Sequence, residues 1–227
     1  MIFIDQSFFT GGLHIPNLEN SSVKDYEFYK LATEWELECL ELSLGKCLAE
    51  ELISQFEIVG EEGSKKYQLK TDADTKWKHL IEGRKYSKTD DLVNYFSNLS
   101  VLGCGINSNK DCEYHFWEGI VKESELLIEG SLKKFKTSFI SDYVYYKWSF
   151  HSESTTTGTG ERKVESKNST IVSNKFKRTT AYNSFWEKVK SFEKGGKVGL
   201  HMFIKEHNES FENFIENDFN YQNIWDV

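Results

Sequence analysis

Leu37, Leu40, Leu44, Leu48, Leu52 and Phe56 recur at three- and four-residue spacing, the repeat of one face of an α-helix. Glu34, Glu38, Glu41 and Glu51 fall mostly off that stripe, so the pattern predicts a long amphipathic helix with its leucines turned to a core. Ser22 followed by Asp25 resembles a capping box at its start. Residues 1–22 read as an extended N-terminal arm, with Ile2, Phe3, Ile4, Phe8 and Phe9 followed by Gly11-Gly12 and Pro16. Beyond the helix, Glu61 to Ser64 read as a turn and Lys66 to Leu69 as a short strand. Trp77, Leu80 and Ile81 predict a short helix capped by Thr71 or Asp72. Gly83 stands where a left-handed residue closes such a helix.

A second helical pattern starts near Trp117 and resumes after Gly130 as Leu132, Phe135, Phe139, Tyr143 and Tyr146. Tyr143, Tyr145 and Tyr146 surround that helix instead of lining one side, the mark of a helix buried on several faces, as in an assembly. The intervening residues 84–115 are mixed, with Leu92, Val93, Tyr95 and Phe96 buried in character and the segment 103–111 loop-like.

The composition then changes abruptly. Residues 152–172 are rich in Ser and Thr and poor in large apolar side chains. Thr155, Thr156 and Thr157 have strand propensity, Gly158 and Gly160 allow a tight reversal, and Arg162 to Glu165 can run back. A long polar hairpin or loop is expected there. Helical character returns from Phe176 to Phe192 and again from Val198 to Asn217. Residues 218–227 form an aromatic tail, with Phe219, Tyr221, Ile224 and Trp225, that either packs on its own core or docks on a neighbour, the neighbour being slightly favoured. The predicted fold is mainly α: a single helical domain over 23–217, carrying a hairpin insertion at 152–172, between extended N- and C-terminal arms.

Composition sharpens this reading. Aromatic residues make 15% of the 227 and proline occurs once, which argues for a real core and against disorder. No run approaches the ~18 apolar residues of a membrane helix, and the N-terminus lacks the pattern of a signal peptide. No membrane association is expected. Cys39 and Cys47 lie eight residues apart in a helical pattern, about 12 Å along the axis, too far for a disulfide. Cys104 and Cys112 are expected to be a reduced pair.

The net charge of −8 is unevenly spread. Residues 1–59 hold 3 basic and 11 acidic side chains, residues 131–190 hold 12 and 5, and residues 198–227 hold 1 and 6. A basic centre between acidic ends fits a solvated face, or regions that face one another within the fold or between subunits. It also fits nucleic-acid binding, although the overall acidity opposes a dedicated DNA binder.

Catalytic chemistry finds little support. HExxH, GxSxG and Walker-type motifs are absent from the sequence. Gly158-Thr159-Gly160 lacks the third glycine and the apolar strand of a phosphate loop. Asp72 and Asp74, or Asp90 and Asp91, are better helix caps than catalytic pairs. His115 beside Trp117 reads as a packed histidine. No metal, cofactor or catalytic residue is assigned, and an enzyme is not expected.

The order of landmarks resembles a known family. Trp77-x-x-Leu80-Ile81-x-Gly83 and Tyr86 precede Trp117-x-Gly119-Ile120. The tyrosine-rich helix around Tyr143 to Tyr146, the hairpin at Thr156 to Glu161, the segment Glu165 to Asn168 and a helix bearing Asn183 and Trp186 follow. Over residues 72–190 this series resembles the head-to-tail connector (adaptor) proteins of tailed phages infecting Bacteroidetes, crAss-like phages included. It departs from them at Val121 to Gly130, which reads as an extra turn, and in the cysteine-containing loop before Trp117.

The resemblance implies a structural virion protein, assembled in the host cytoplasm. It would form a ring, commonly of twelve copies, below the portal, bind the portal and the next tail ring protein, and continue the DNA channel with transient, non-specific DNA contact. Thr155, Thr156, Thr157, Gly158, Gly160, Arg162, Tyr221 and Trp225 are the candidate subunit and partner contacts, because a polar hairpin can add strands to a neighbour's sheet edge. Another virion ring, a stopper or a tail-completion protein is the alternative within that class. A cytosolic binding module, an enzyme or a DNA-binding protein stands outside it.

Overall fold

The leucine stripe is shared by two helices, α1 (Val23–Leu44) and α2 (Lys46–Ser54), in a computed structural model describing residues 1–15, 18, 23–61, 66–87, 114–128, 130–152, 154–157, 160–163, 175–191 and 195–222. Leu40, Leu44, Leu48 and Leu52 are fully buried while Leu37 is exposed, so from Leu40 to Leu52 the stripe marks the buried face of a helix that is in fact broken. The break is Gly45, at φ 79°, where glycine is favoured because it has no Cβ. The C-terminal segment crosses there: a Cβ on Gly45 would stand 3.0 Å from the Cβ of Ile215. Phe56, expected as the last helical position, instead opens β1 (Phe56–Val59), which pairs antiparallel with β2 (Lys66–Leu69).

Helix α3 (Thr75–Glu82) is capped by Asp74, whose carboxylate accepts from the Lys76 N–H at 3.0 Å, and not by Thr71 or Asp72. Strands β3 (Arg84–Ser87) and β4 (Tyr114–Trp117) pair antiparallel, Arg84 opposite Trp117 and Ser87 opposite Tyr114. The expectations for Leu92 to Phe96, for Cys104 and Cys112 and for the Ser22 cap lie outside the described residues.

The largest departure follows. The second helical pattern begins at Phe139, not near Trp117. Before it, β5 (Lys122–Ile128) and β6 (Ser131–Thr137) form a hairpin closed at Gly130, φ 78°. Leu132 and Phe135 are therefore strand residues, and the expected extra turn at Val121 to Gly130 is mostly strand. A three-residue apolar spacing does not separate helix from strand over so short a run. Cross-strand charge decides it: Lys134 stands opposite Glu125 and Lys136 opposite Glu123, and the Lys134–Glu125 pair closes to 3.2 Å.

Helix α4 (Phe139–His151) starts at Ser138, whose hydroxyl accepts from the Ile140 N–H at 3.1 Å. Strands β7 (Ser154–Thr157) and β8 (Gly160–Lys163) form the expected polar hairpin, and α5 (Lys175–Lys190) follows. The tyrosines of α4 are buried on several faces by this same chain, because α4 lies between α1 and α5. Tyr143 donates to Glu38 of α1 at 2.8 Å, while its ring centroid is 5.1 Å from that of Phe185 in α5. No second copy is required to cover them.

Helix α6 (Leu200–Glu206) is far shorter than the helix expected to Asn217. After a 3-10 turn at Asn208–Ser210, the chain turns again at 212–213 and continues without regular secondary structure to Gln222. This path lets Phe211 bury against Trp77 and Phe203. It also brings the Asn217 amide to the Glu41 and Leu42 carbonyls in the last turn of α1. The tail then docks on its own α5. Phe219 stacks on Phe185 at 5.2 Å, and the Gln222 backbone exchanges hydrogen bonds with the Asn183 side chain.

At the other end, Phe3, Ile4, Phe8, Phe9 and Ile15 are buried in the same core. The Glu36 carboxylate of α1 accepts the Ile2 and Phe3 N–H groups at 2.7 Å each and that of Ile4 at 3.3 Å. The architecture is thus mixed: six α-helices form the core and four two-stranded antiparallel hairpins connect them among the described residues, in place of a mainly helical bundle.

Candidate functional site

The predicted contact residues fall in two places. Thr155 pairs with Arg162, Thr156 with Glu161 and Thr157 with Gly160; Gly158 lies outside the described residues, as does Trp225. This hairpin leaves directly from the end of α4. Exposed Phe150 and Phe176 flank its ends in sequence, and the Arg178 guanidinium lies 3.9 Å over the Phe150 ring. Tyr221 sits elsewhere, edge-on to Trp186 of α5 at 5.4 Å.

Two further features were not singled out by sequence reasoning. The first is the tip of the β5–β6 hairpin. Leu127 and Leu132 are cross-strand partners there, exposed by 71% and 68%, with Leu126 at 55%. Strand alternation puts Leu126 on the opposite face from the pair, so the tip is apolar on both sides. Its base is anchored: Lys136 reaches Asp5 at 3.3 Å and lies over the Phe8 ring.

The second is a cleft of about 440 Å³ beside the base of the same hairpin. Trp117, Phe139, Trp186 and Val198 give it apolar walls, and Lys122 and Thr137 line it from the two hairpin strands. Burial alone would lift the Glu118 carboxyl, but hydrogen bonds from Lys122 and Lys197 outweigh it and hold the group below the usual carboxylate range. Asp142, beneath the cleft, is raised by burial against the opposing pull of Lys188 at 2.6 Å and Ser184 at 2.8 Å. Lys122, Lys188 and Lys197 are thus all engaged by carboxylates. Glu187, at the rim, is exposed and has no ion-pair partner among the described residues.

A polar cluster joins β3–β4 to α6. His115 is 3% exposed and its Nδ1 lies 2.8 Å from the Glu206 carboxylate, which also accepts from the Tyr86 hydroxyl. Arg84 Nη1 lies 3.3 Å from His79 Nδ1. Burial lowers the His79 pKa, and the Arg84 charge and His207 act in the same direction. Among the described residues no group of His, Cys, Asp and Glu is arranged to hold a metal ion. No helix among them is long and apolar enough to cross a membrane.

The segregated charge is partly consumed within one copy. Lys136 pairs with Asp5, Lys147 with Glu38 at 2.9 Å, His151 with Glu27 at 3.0 Å and Lys190 with Asp218 at 3.8 Å. The basic centre therefore meets both acidic ends inside the fold, one of the arrangements its sequence allowed.

The stretches Trp77 to Gly83 and Trp117 to Ile120 also come together. The Trp117 indole donates to the Leu80 carbonyl at 3.0 Å, and the Ile120 and Val121 N–H groups donate to Leu80 and Ile81. Their spacing thus has a structural cause, a joint between α3 and the β4–β5 turn. No family model, curated protein or solved structure matches the chain.

Proposed function

We propose that the chain is a structural ring subunit of a tailed phage, the connector that links portal to tail and continues the DNA channel. The observation that carries this reading is the β5–β6 hairpin. Exposed leucines on a braced two-stranded arm are an unburied apolar surface, at about 25 cal/mol per Å², and clustered apolar exposure of this kind marks contact with another protein. The order of landmarks from Trp77 to Trp186 resembles that of the connector family, which supports the portal and the next tail ring as the partners. Passing DNA would meet the ring without sequence preference. The reading needs no cofactor and no catalytic residue.

Mass measurement and electron microscopy, with and without the portal, test it. A ring or portal-bound oligomer is the expected outcome; a stable monomer that ignores the portal removes the proposal. Deletion of Ser154 to Lys163 is expected to abolish the ring while circular dichroism stays helical. Unchanged assembly would exclude the polar hairpin, with Thr155, Thr156, Thr157 and Arg162, from the contact. Genes for portal and capsid beside this one would support the same role.

A further inference from the structure

The β5–β6 hairpin carries the exposed leucine tip at one end and borders the cleft at the other. Its seven-residue strands separate the two by roughly 20 Å at about 3.4 Å per residue. A stiff hairpin cannot fold its tip into a cleft at its own base. We propose that the tip of one copy docks in the cleft of the next, Leu127 and Leu132 leading, so that each subunit offers one knob and one hole. This rests on the ring reading and supplies its subunit contact.

Size, charge and access favour this occupant. The cleft volume of about 440 Å³ lies within the range of about 300–1,000 Å³ typical of pockets that enclose a compact group. Its walls include Trp186, which is partly exposed, and the edges of buried Trp117 and Phe139. Lys133, next to Leu132, is exposed and without an ion-pair partner among the described residues, as Glu187 is at the rim. Among the described residues, tip and cleft thus present one unpaired charge each, of opposite sign.

Up to Gln222, the last described residue, the chain's own tail lies outside the residues that line the cleft. From Phe219 beside Phe185 it passes to Gln222, whose side-chain amide donates to the Tyr146 hydroxyl, towards the far end of α4 from Phe139.

A knob and a hole at different places make a heterologous contact. Repeated, it closes into a ring or runs on as a filament, and it does not stop at a two-fold dimer.

The test uses the full chain, under the conditions in which the wild type assembles, and reads mass by sedimentation and native mass spectrometry. Leu127→Asp with Leu132→Asp changes only exposed positions, so helicity by circular dichroism is expected to persist while association weakens by about 100-fold or more. Lys133→Glu and Glu187→Lys are each expected to weaken association by roughly 3–10-fold, and together to return it to within about twofold of wild type. Restoration by the double reversal supports the contact. Undiminished assembly of the leucine variant overturns the inference and leaves the ring reading standing. Loss in the leucine variant without rescue by the charge pair overturns the cleft as the docking place. A wild type that never assembles, with or without portal, fails the ring reading itself, and the inference falls with it.

Discussion

Gly83 and Gly119 face each other across the joint between α3 and the β4–β5 turn. A Cβ on Gly83 would stand 2.5 Å from the Trp117 carbonyl oxygen, and one on Gly119 2.5 Å from that of Ile81. Both have φ near 90°, where L side chains are strained. The obstacles are backbone atoms, which cannot rotate aside. Gly83→Ala or Gly119→Ala is expected to cost about 3 kcal/mol or more, lowering the melting temperature by roughly 6–12 °C for a chain of this size. Thermal unfolding of each variant checks this. A drop of a degree or less would mean that the two turns are not in contact.

This joint shows what the sequence could disclose. The order Trp77, Leu80, Gly83, Trp117, Gly119 was visible, but pattern alone could not say that the two stretches touch. Periodicity located the buried face of α1 and α2 because four leucines in register leave no other face. It failed where competing periods fit the same residues: Leu132 and Phe135 suit a helix by spacing and a strand by cross-strand charge.

Exposure is the least legible property. Leu126, Leu127 and Leu132 look like core residues in one dimension. They are surface residues because Gly130 turns the chain and the paired strands carry the turn away from the core. The tyrosines of α4 mislead in the opposite direction. Two helices of the same chain bury what seemed to call for a neighbour, since sequence does not report how many partners a helix has. Net charge is similar: the basic centre was evident, and its pairing with Asp5, Glu38 and Asp218 was not.

Glu36 holds the N-terminal segment by accepting three consecutive backbone N–H groups. Glu36→Gln replaces one acceptor oxygen with an NH2 group facing a donor, leaving a buried N–H unpaired at about 1–3 kcal/mol. The expected outcome is faster amide exchange at Ile2, Phe3 and Ile4 and earlier proteolysis within the first fifteen residues, with α4 and α5 unaffected. Exchange rates equal to wild type at those amides would remove Glu36 as the anchor.

The His79–Arg84 pair sets a pH dependence. Arg84 can donate to Nδ1 only while the imidazole is neutral, and burial with the Arg84 charge holds the His79 pKa below its ordinary value. The unfolded chain, titrating near about 6.5, then binds the proton first. Its contribution to stability is fully present above that value and is lost as pH falls through it towards the folded pKa. Unfolding free energies between pH 7.5 and 5.5 are expected to decline, and less steeply in His79→Gln. An NMR titration placing the His79 midpoint above about 6.5 would reverse the sign and defeat the argument.

Phe219 decides whether the tail belongs to its own chain. Its ring stacks on Phe185, its carbonyl accepts from the Trp186 indole at 3.1 Å, and it is only partly buried. Phe219→Ala is expected to cost about 2 kcal/mol, below the 3–5 kcal/mol of a fully buried phenylalanine. Because the partner is intramolecular, the loss should be the same at low and high protein concentration. A tail docked on a neighbour would behave otherwise, its contribution growing with concentration by mass action. Chemical denaturation of wild type and Phe219→Ala over a hundredfold concentration range separates the two. A constant difference places the tail on its own α5, while one that vanishes on dilution places it on another copy.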